Sequence, residues 1–307
     1  MSEETPETPE AAKTETPHLA ERAVQVAGLR IATAMNDVPR FLLGRVPLVV
    51  LPAANHPWQD YRLILERFAS ERRVFALDWP GFGSSDKPTP ADFAYSIKSY
   101  AEILAGWMDS LGVARAVFVG NSVGAGAAIQ YAAARPQRAL GLLLVAPTGF
   151  TPPGITRWTA ARFLGTPSAL RAVVGGFTSL YLGPTTDATK GVMDRQKELR
   201  ASLDYNASID ACAALWRSFD TPAADLSAVA REVIAPAMVA RGALDPIITE
   251  TDARRAAETL GANTGKRALE VVLPNAGHLP FLQEPERFLK AVEGLLATAE
   301  VNAATAN

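Results

Sequence analysis

The stretch from Val117 to Pro136, VFVGNSVGAGAAIQYAAARP, passes from a short apolar run through two glycines into an alanine-rich segment. Ser122 stands between those glycines, in the order Gly120-Asn121-Ser122-Val123-Gly124. The apolar run has the length of a buried strand and the alanine-rich run has the content of a helix. A sharp turn between the two crowds its central residue, and small residues two positions to either side relieve the crowding. A helix that begins there also aims free amide N–H groups and a positive partial charge at the serine, which suits an oxyanion forming beside its hydroxyl. A pentapeptide this short also arises by chance, and a serine that only caps a helix would sit in the same place. The rest of the chain decides between these readings.

Outward from this turn, strand-like runs alternate with helical ones. PLVVLPA (47–53), RRVFALD (72–78), RAVFVGN (115–121), LGLLLVAP (140–147) and LEVVLPN (269–275) are almost continuously apolar, as strands covered on both faces are. IAPAMVAR (234–241) is a weaker strand candidate, and AVQVAG with LRIATAM forms an opening pair. Tyr100, Ile103, Leu104, Trp107, Met108 and Leu111 follow a helical period, as do Phe288, Leu289, Val292, Leu295 and Leu296 after Pro285. The alternation predicts an α/β fold with a mostly parallel central sheet flanked by helices.

The pattern breaks between 149 and 229, where helical pieces are punctuated by Pro and Gly without a convincing strand. A helical cap inserted into the sheet domain is expected there, with the core formed by 21–148 and 230–298. The first 20 residues, rich in Glu, Thr and Pro, read as a disordered acidic tail, and 299–307 as a frayed end.

In an open parallel sheet, ligands meet the chain at the carboxyl ends of the strands. Ser122 follows one strand, Asp245 in Gly242-Ala243-Leu244-Asp245-Pro246 follows another, and His278 in Ala276-Gly277-His278-Leu279-Pro280 follows a third. Taken singly, Asp245 reads as a turn starter before proline and His278 as a buried structural histidine. Together the order Ser, Asp, His is one known arrangement of a nucleophile, its orienting acid and its base. Asp220 and Asp225 lie in or beside the insertion and fit the acid role less well. Asn55, His56 and Trp58, in the loop after PLVV, are candidate substrate-binding residues, the alternative for Asn55 and His56 being a solvent-facing turn.

From about residue 23 to 298 the chain resembles the α/β-hydrolase superfamily. Besides GNSVG, LDWPGFGSSDKP is similar to that family's Asp-x-Pro-Gly-x-Gly-x-Ser turn, RGALDP to its acid loop, and AGHLPFLQEPERF to its histidine loop and last helix. The resemblance implies Ser122 as nucleophile, His278 as base and Asp245 as orienting acid, with a helical cap after the sixth strand and an architectural role for Asp78. It also implies an oxyanion hole from the backbone N–H groups of Val123 and Ala54. The His-Gly usual in that loop is Pro52-Ala53 here, so an unusual loop geometry is expected. The function implied is a serine hydrolase cleaving a small, apolar carboxylic ester or related acyl compound through an acyl-enzyme on Ser122, with no metal and no organic cofactor. The alternatives are a carbon–carbon bond hydrolase of the same fold and a non-catalytic small-ligand-binding protein. GNSVGAG resembles the elbow of the carbon–carbon hydrolases, but the Trp that often follows their histidine is Leu279 here. Dehalogenases and epoxide hydrolases of this fold use a carboxylate nucleophile, against which Ser122 argues.

Composition narrows the partners. A formal net charge of -2 without a basic cluster speaks against nucleic acid, and apolar runs far below the ~20 residues of a bilayer span speak against membrane insertion. The expected partner is a small-molecule substrate, and no motif sets an oligomeric state. Cys212 is the only cysteine, so no intrachain disulfide or thiolate cluster can form. With no apolar segment in the acidic N-terminal stretch, the expected compartment is the cytoplasm.

Overall fold

The computed structural model describes residues 18–152 and 154–305. Its strands are β1 (Leu19–Val26), β2 (Leu29–Asn36), β3 (Leu48–Leu51), β4 (Val74–Leu77), β5 (Ala116–Asn121), β6 (Ala139–Val145), β7 (Ala237–Gly242) and β8 (Leu269–Leu273). They form one sheet in the order β1-β2-β4-β3-β5-β6-β7-β8. β2 runs antiparallel to both its neighbours and the other pairings are parallel, with Val49 opposite Phe118 and Leu142 opposite Ala237. The opening pair, the weak IAPAMVAR candidate and the five apolar runs are all strands.

The helices are α1 (Arg62–Ala69), α2 (Ile97–Ser110), α3 (Val123–Ala134), α4 (Ile155–Leu164), α5 (Pro167–Leu182), α6 (Asp187–Ala201), α7 (Tyr205–Ser218), α8 (Ser227–Ala230), α9 (Glu250–Thr259) and α10 (Pro285–Thr305). Successive side chains on β5 serve opposite faces, as a strand covered twice must. Phe118 packs with Tyr100, Trp107 and Tyr131 from α2 and α3, while Val117 and Val119 pack with Phe68, Phe288 and Leu295 from α1 and α10. Burying each of these large side chains stabilises the sheet by about 1.5–3 kcal/mol. No helix among the described residues is long and apolar enough to cross a membrane.

From β6 to β7 the described chain contains helices and turns and no strand. The Leu226 N–H donates to the Gly149 carbonyl at 2.8 Å, so this helical segment leaves the sheet and returns to it at one place. α4, α5 and α6 pack around α7, whose buried Ile209, Ala211, Ala213 and Leu215 continue the core of one sheet face.

Both ends differ from expectation. Of the expected acidic tail, 1–17 lie outside the described residues, but Leu19 and Ala20 already belong to β1 and face Asn36 and Met35. At the other end α10 continues through 299–305 rather than fraying, and only 306–307 lie outside the described residues. Ala299 is fully buried there, and Glu300 accepts hydrogen bonds from the Val46 N–H at 3.1 Å and from Arg72 at 2.8 Å.

Candidate active site

Ser122 sits at the turn between β5 and α3 with φ 54°, a left-handed conformation rare for a residue with a side chain. Its N–H donates to the Val145 carbonyl at 2.8 Å and its carbonyl accepts from the Gly126 N–H at 3.1 Å, so neighbouring elements hold the turn. The flanking glycines are required by space. A Cβ at Gly120 would lie 2.7 Å from the Gly124 carbonyl oxygen, and one at Gly124 would lie 2.2 Å from that of Leu51. Ser122 occupies the N-cap position of α3, yet its hydroxyl makes no capping hydrogen bond. It faces a cavity instead.

His278 follows β8, and its ring donates from Nδ1 to Asp245 Oδ2 at 2.7 Å. The Asp245 side chain is fully buried, and its Oδ1 accepts the backbone N–H groups of Ile247 and Ile248 at 2.8 and 3.2 Å. Those two amides fix the carboxylate, and the carboxylate fixes the imidazole. Asp220 and Asp225 pair with Arg162 and Arg255 instead. Ser122 and His278 both line the cavity, with no hydrogen bond joining them among the described residues.

Asn121, one residue before the serine, connects the loops around it. Its Nδ2 donates to the carbonyls of Val145 and His278 at 3.2 and 3.3 Å, and its Oδ1 accepts from the Tyr61 hydroxyl at 2.8 Å. The Tyr61 oxygen in turn accepts the Ala53 N–H at 2.8 Å. A single chain of hydrogen bonds therefore runs from the histidine loop through the elbow to the loop after β3. Burial pushes the Tyr61 phenol well above its ordinary pKa, which keeps it a donor to Asn121.

The loop after β3 departs from the expected strain. Its left-handed residue is Asn55, φ 61°, and not Ala53. The N–H groups of Ala54 and Val123 have no acceptor among the described residues, and both residues line the cavity. Asn55 and His56 line it too. His56 is not on a solvent-facing turn: it is 2% exposed, donates from Nδ1 to Asp60 at 2.6 Å, and accepts the Tyr181 hydroxyl at Nε2 at 2.8 Å. Both ring nitrogens are satisfied inside the protein, which is why burial is tolerated. Trp58, expected beside the substrate, points elsewhere: its indole N–H donates to Glu21 on β1 at 2.8 Å, and it is absent from the cavity wall. Its indole needs an acceptor, and the edge hairpin supplies one.

The cavity measures about 430 Å³ and lies between the carboxyl ends of the strands and the helices α4, α5 and α7. Of the large side chains in the insertion, Phe177, Tyr181, Trp216 and Phe219 form part of its wall, whereas Trp158, Phe163 and Leu180 are exposed. Cys212 is also in the wall, with its thiol pushed up to about 12 by burial. Arg157 is the one lining cation among the described residues, while Arg195 of α6 is paired with the buried Asp60. The sequence reading did not find Asp60, Tyr61 and Gln196, which support the loops around the site. The i, i+4 spacing of His56 and Asp60 would have hinted at Asp60 alone.

Asp78 stands behind the site. Its oxygens accept the N–H groups of Trp58 and Ser84 at 2.7 and 2.8 Å, and burial nevertheless pushes its carboxyl up to about 7. It fixes the start of the segment after His56 and does not line the cavity.

Comparison with known proteins identifies the family. The chain is 32% identical over 249 residues to the 2-hydroxymuconate semialdehyde hydrolase of Pseudomonas putida, covering 76% of this chain and 80% of that one. The 2-hydroxymuconate semialdehyde hydrolase of Pseudomonas sp. (strain CF600) is 36% identical over 96 residues, which span 31% of this chain and only 33% of that protein. An esterase from Exiguobacterium antarcticum superposes with a TM-score of 0.73 at 17% identity, over 90% of this chain and 98% of that one, a likeness of fold. The sequence profile of the alpha/beta hydrolase family matches residues 48–291, a span that holds the elbow, the insertion and the loops of Asp245 and His278. That span is most of the described sheet, and the chain belongs to the alpha/beta hydrolase family.

Proposed function

We propose that this hydrolase cleaves a small, largely apolar carboxylic ester or related acyl compound through an acyl-enzyme on Ser122. The observation that carries this reading is the pairing of His278 with the buried Asp245 at the wall of the cavity that Ser122 enters from its strained turn. The Ser122 hydroxyl attacks the carbonyl carbon and His278 Nε2 takes its proton, while Asp245 holds the Nδ1–H tautomer. The N–H groups of Ala54 and Val123 receive the oxyanion. Collapse expels the alcohol, which takes the proton back from His278, and water attacks the acyl-enzyme by the same route.

The insertion acts as a cap whose aromatic wall receives the acyl chain. Burial of a charged substrate group in this cavity would need a partner. Arg195 is committed to Asp60, which leaves Arg157 as the lining cation for any charged substrate group. A second reading, cleavage of a carbon–carbon bond beside a ketone, is supported by the relative from Pseudomonas putida. It would use the same serine and the same oxyanion donors.

Hydrolysis of p-nitrophenyl esters from acetate to decanoate tests the first reading. Ser122→Ala is expected to abolish turnover without changing the unfolding midpoint, and Asp245→Asn to lower kcat by about 10⁴-fold through the wrong histidine tautomer. Ester turnover that survives Ser122→Ala removes the serine from the mechanism. Inertness to every ester, with consumption of a vinylogous 1,5-diketone, replaces the first reading by the second.

A further inference from the structure

We propose that Gln196, on helix α6 of the insertion, is a positioning residue for the oxyanion loop. The inference rests on the acyl-enzyme reading and adds to it the device that sets the loop's shape. In this loop the Ala54 N–H is free to meet an oxyanion, and its direction depends on the backbone to either side. On the core side the loop is held by the Ala53 N–H on Tyr61 and by the Trp79 indole N–H on the Pro52 carbonyl, each at 2.8 Å. Beyond them the backbone closes a turn across Ala54 and Asn55, with the His56 N–H donating to the Ala53 carbonyl at 3.3 Å.

Within that turn Asn55 stands at φ 61°, a conformation that asparagine reaches more readily than most residues but that still needs support. Gln196 supplies it from the insertion. Its Nε2 donates to the Asn55 carbonyl at 2.7 Å and its Oε1 accepts from Asn55 Nδ2 at 3.0 Å. The amide is 3% exposed, so both bonds are sheltered from water. One side chain thereby fixes the backbone and the side chain of the residue next to the oxyanion donor. The insertion makes further contacts just beyond: Arg195 with Asp60, and Tyr181 with His56. The segment from Asn55 to Asp60 is therefore gripped by α5 and α6.

This grip replaces what a glycine would contribute. With Ala53 and Ala54 in the loop, the left-handed residue is Asn55, and Gln196 adds a side-chain hold to the turn's own hydrogen bond from the His56 N–H to the Ala53 carbonyl. Since an oxyanion donor is felt in the transition state and hardly in the bound ester, Gln196 influences kcat more than KM.

The test compares wild type, Gln196→Ala and the near-isosteric Gln196→Glu, which keeps the acceptor for Asn55 Nδ2 and loses the donor to the Asn55 carbonyl. Three quantities are read: kcat and KM on the best p-nitrophenyl ester, inhibition by an alkyl trifluoromethyl ketone, whose serine adduct places an oxyanion in the hole, and inhibition by the matching alkyl amide, which binds without forming one. Expected is a fall in kcat of about 10- to 100-fold in both variants, a KM within about threefold, and trifluoromethyl ketone affinity lost in step with kcat. Amide affinity should stay within about twofold. If Gln196→Ala fails to fold, Gln196→Glu decides alone. Values of kcat and ketone affinity within twofold of wild type, or equal losses for ketone and amide, overturn the proposal. Wild-type protein that neither hydrolyses an ester nor is labelled at Ser122 by a fluorophosphonate overturns the acyl-enzyme reading, and the role given to Gln196 falls with it.

Discussion

Gly124 lies where the first turn of α3 comes against the loop after β3, and a Cβ there would stand 2.2 Å from the Leu51 carbonyl oxygen and 2.7 Å from that of Pro52. Neither neighbour is a flexible side-chain end, so Gly124→Ala must push the helix start and the oxyanion loop apart. The expected result is a loss of about 2 kcal/mol or more in urea unfolding, and a fall of at least about 100-fold in the rate of fluorophosphonate labelling. Gly294→Ala is the control: it sits on the exposed side of α10 with nothing within 4 Å of an added Cβ, and should stabilise by about 0.5–1 kcal/mol. At this scale the sequence was most legible where chemistry and backbone coincide. Ser122, Asp245 and His278 each follow a strand, so alternation placed them at one edge. Gln196 and Asn55 are 141 positions apart, and nothing periodic relates them. Trp58 was misread because a tryptophan next to a candidate site looks like a substrate wall until its indole N–H finds Glu21.

Among the elements, the helices of the insertion supply much of the cavity wall, and on the proposed reading they set the selectivity. α5 contributes Leu170, Val174, Phe177 and Tyr181 to the cavity at helical spacing, so that one face of a single helix forms a continuous apolar wall. Phe177→Ala should lengthen the preferred acyl chain, raising the ratio of kcat/KM for octanoate over butyrate by about fivefold or more, as added methylene groups fill the vacated space. An unchanged ratio would place the acyl chain elsewhere, along α7. The sequence revealed that this region is helical and rich in large side chains. It could not show which of them turn inward. Trp158 and Phe163 of α4 face solvent while Trp216 and Phe219 reach the cavity, a choice made by the crossing of α4 over α7 rather than by hydropathy.

For the whole molecule, the sheet was readable because buried parallel strands are apolar throughout, and the ends were not. Leu19 and Ala20 are strand residues because β2 offers them an edge, and the last turns of α10 persist because Arg72 and Val46 hold Glu300. Global stability should also carry the mark of Asp78. The unfolded chain loses this proton near 3.8 and the folded protein near 7, because burial disfavours the carboxylate despite its two amide donors. Between those values only the folded state holds the proton, so the contribution is full below about 4 and is lost as pH rises through 7, by at most ~4 kcal/mol. Urea unfolding of wild type and Asp78→Asn at pH 5 and pH 8 checks this: the wild type should lose ground to the variant at the higher pH. A difference independent of pH would mean that the carboxylate is ionised at both. The lone Cys212 has a consequence of another kind. With its thiol pushed up to about 12, it carries almost no thiolate near neutrality, and with no second cysteine in the chain it has no intramolecular partner for exchange. Slow reaction of Cys212 with thiol reagents near neutral pH is therefore expected, with activity that responds little to the redox poise around the protein.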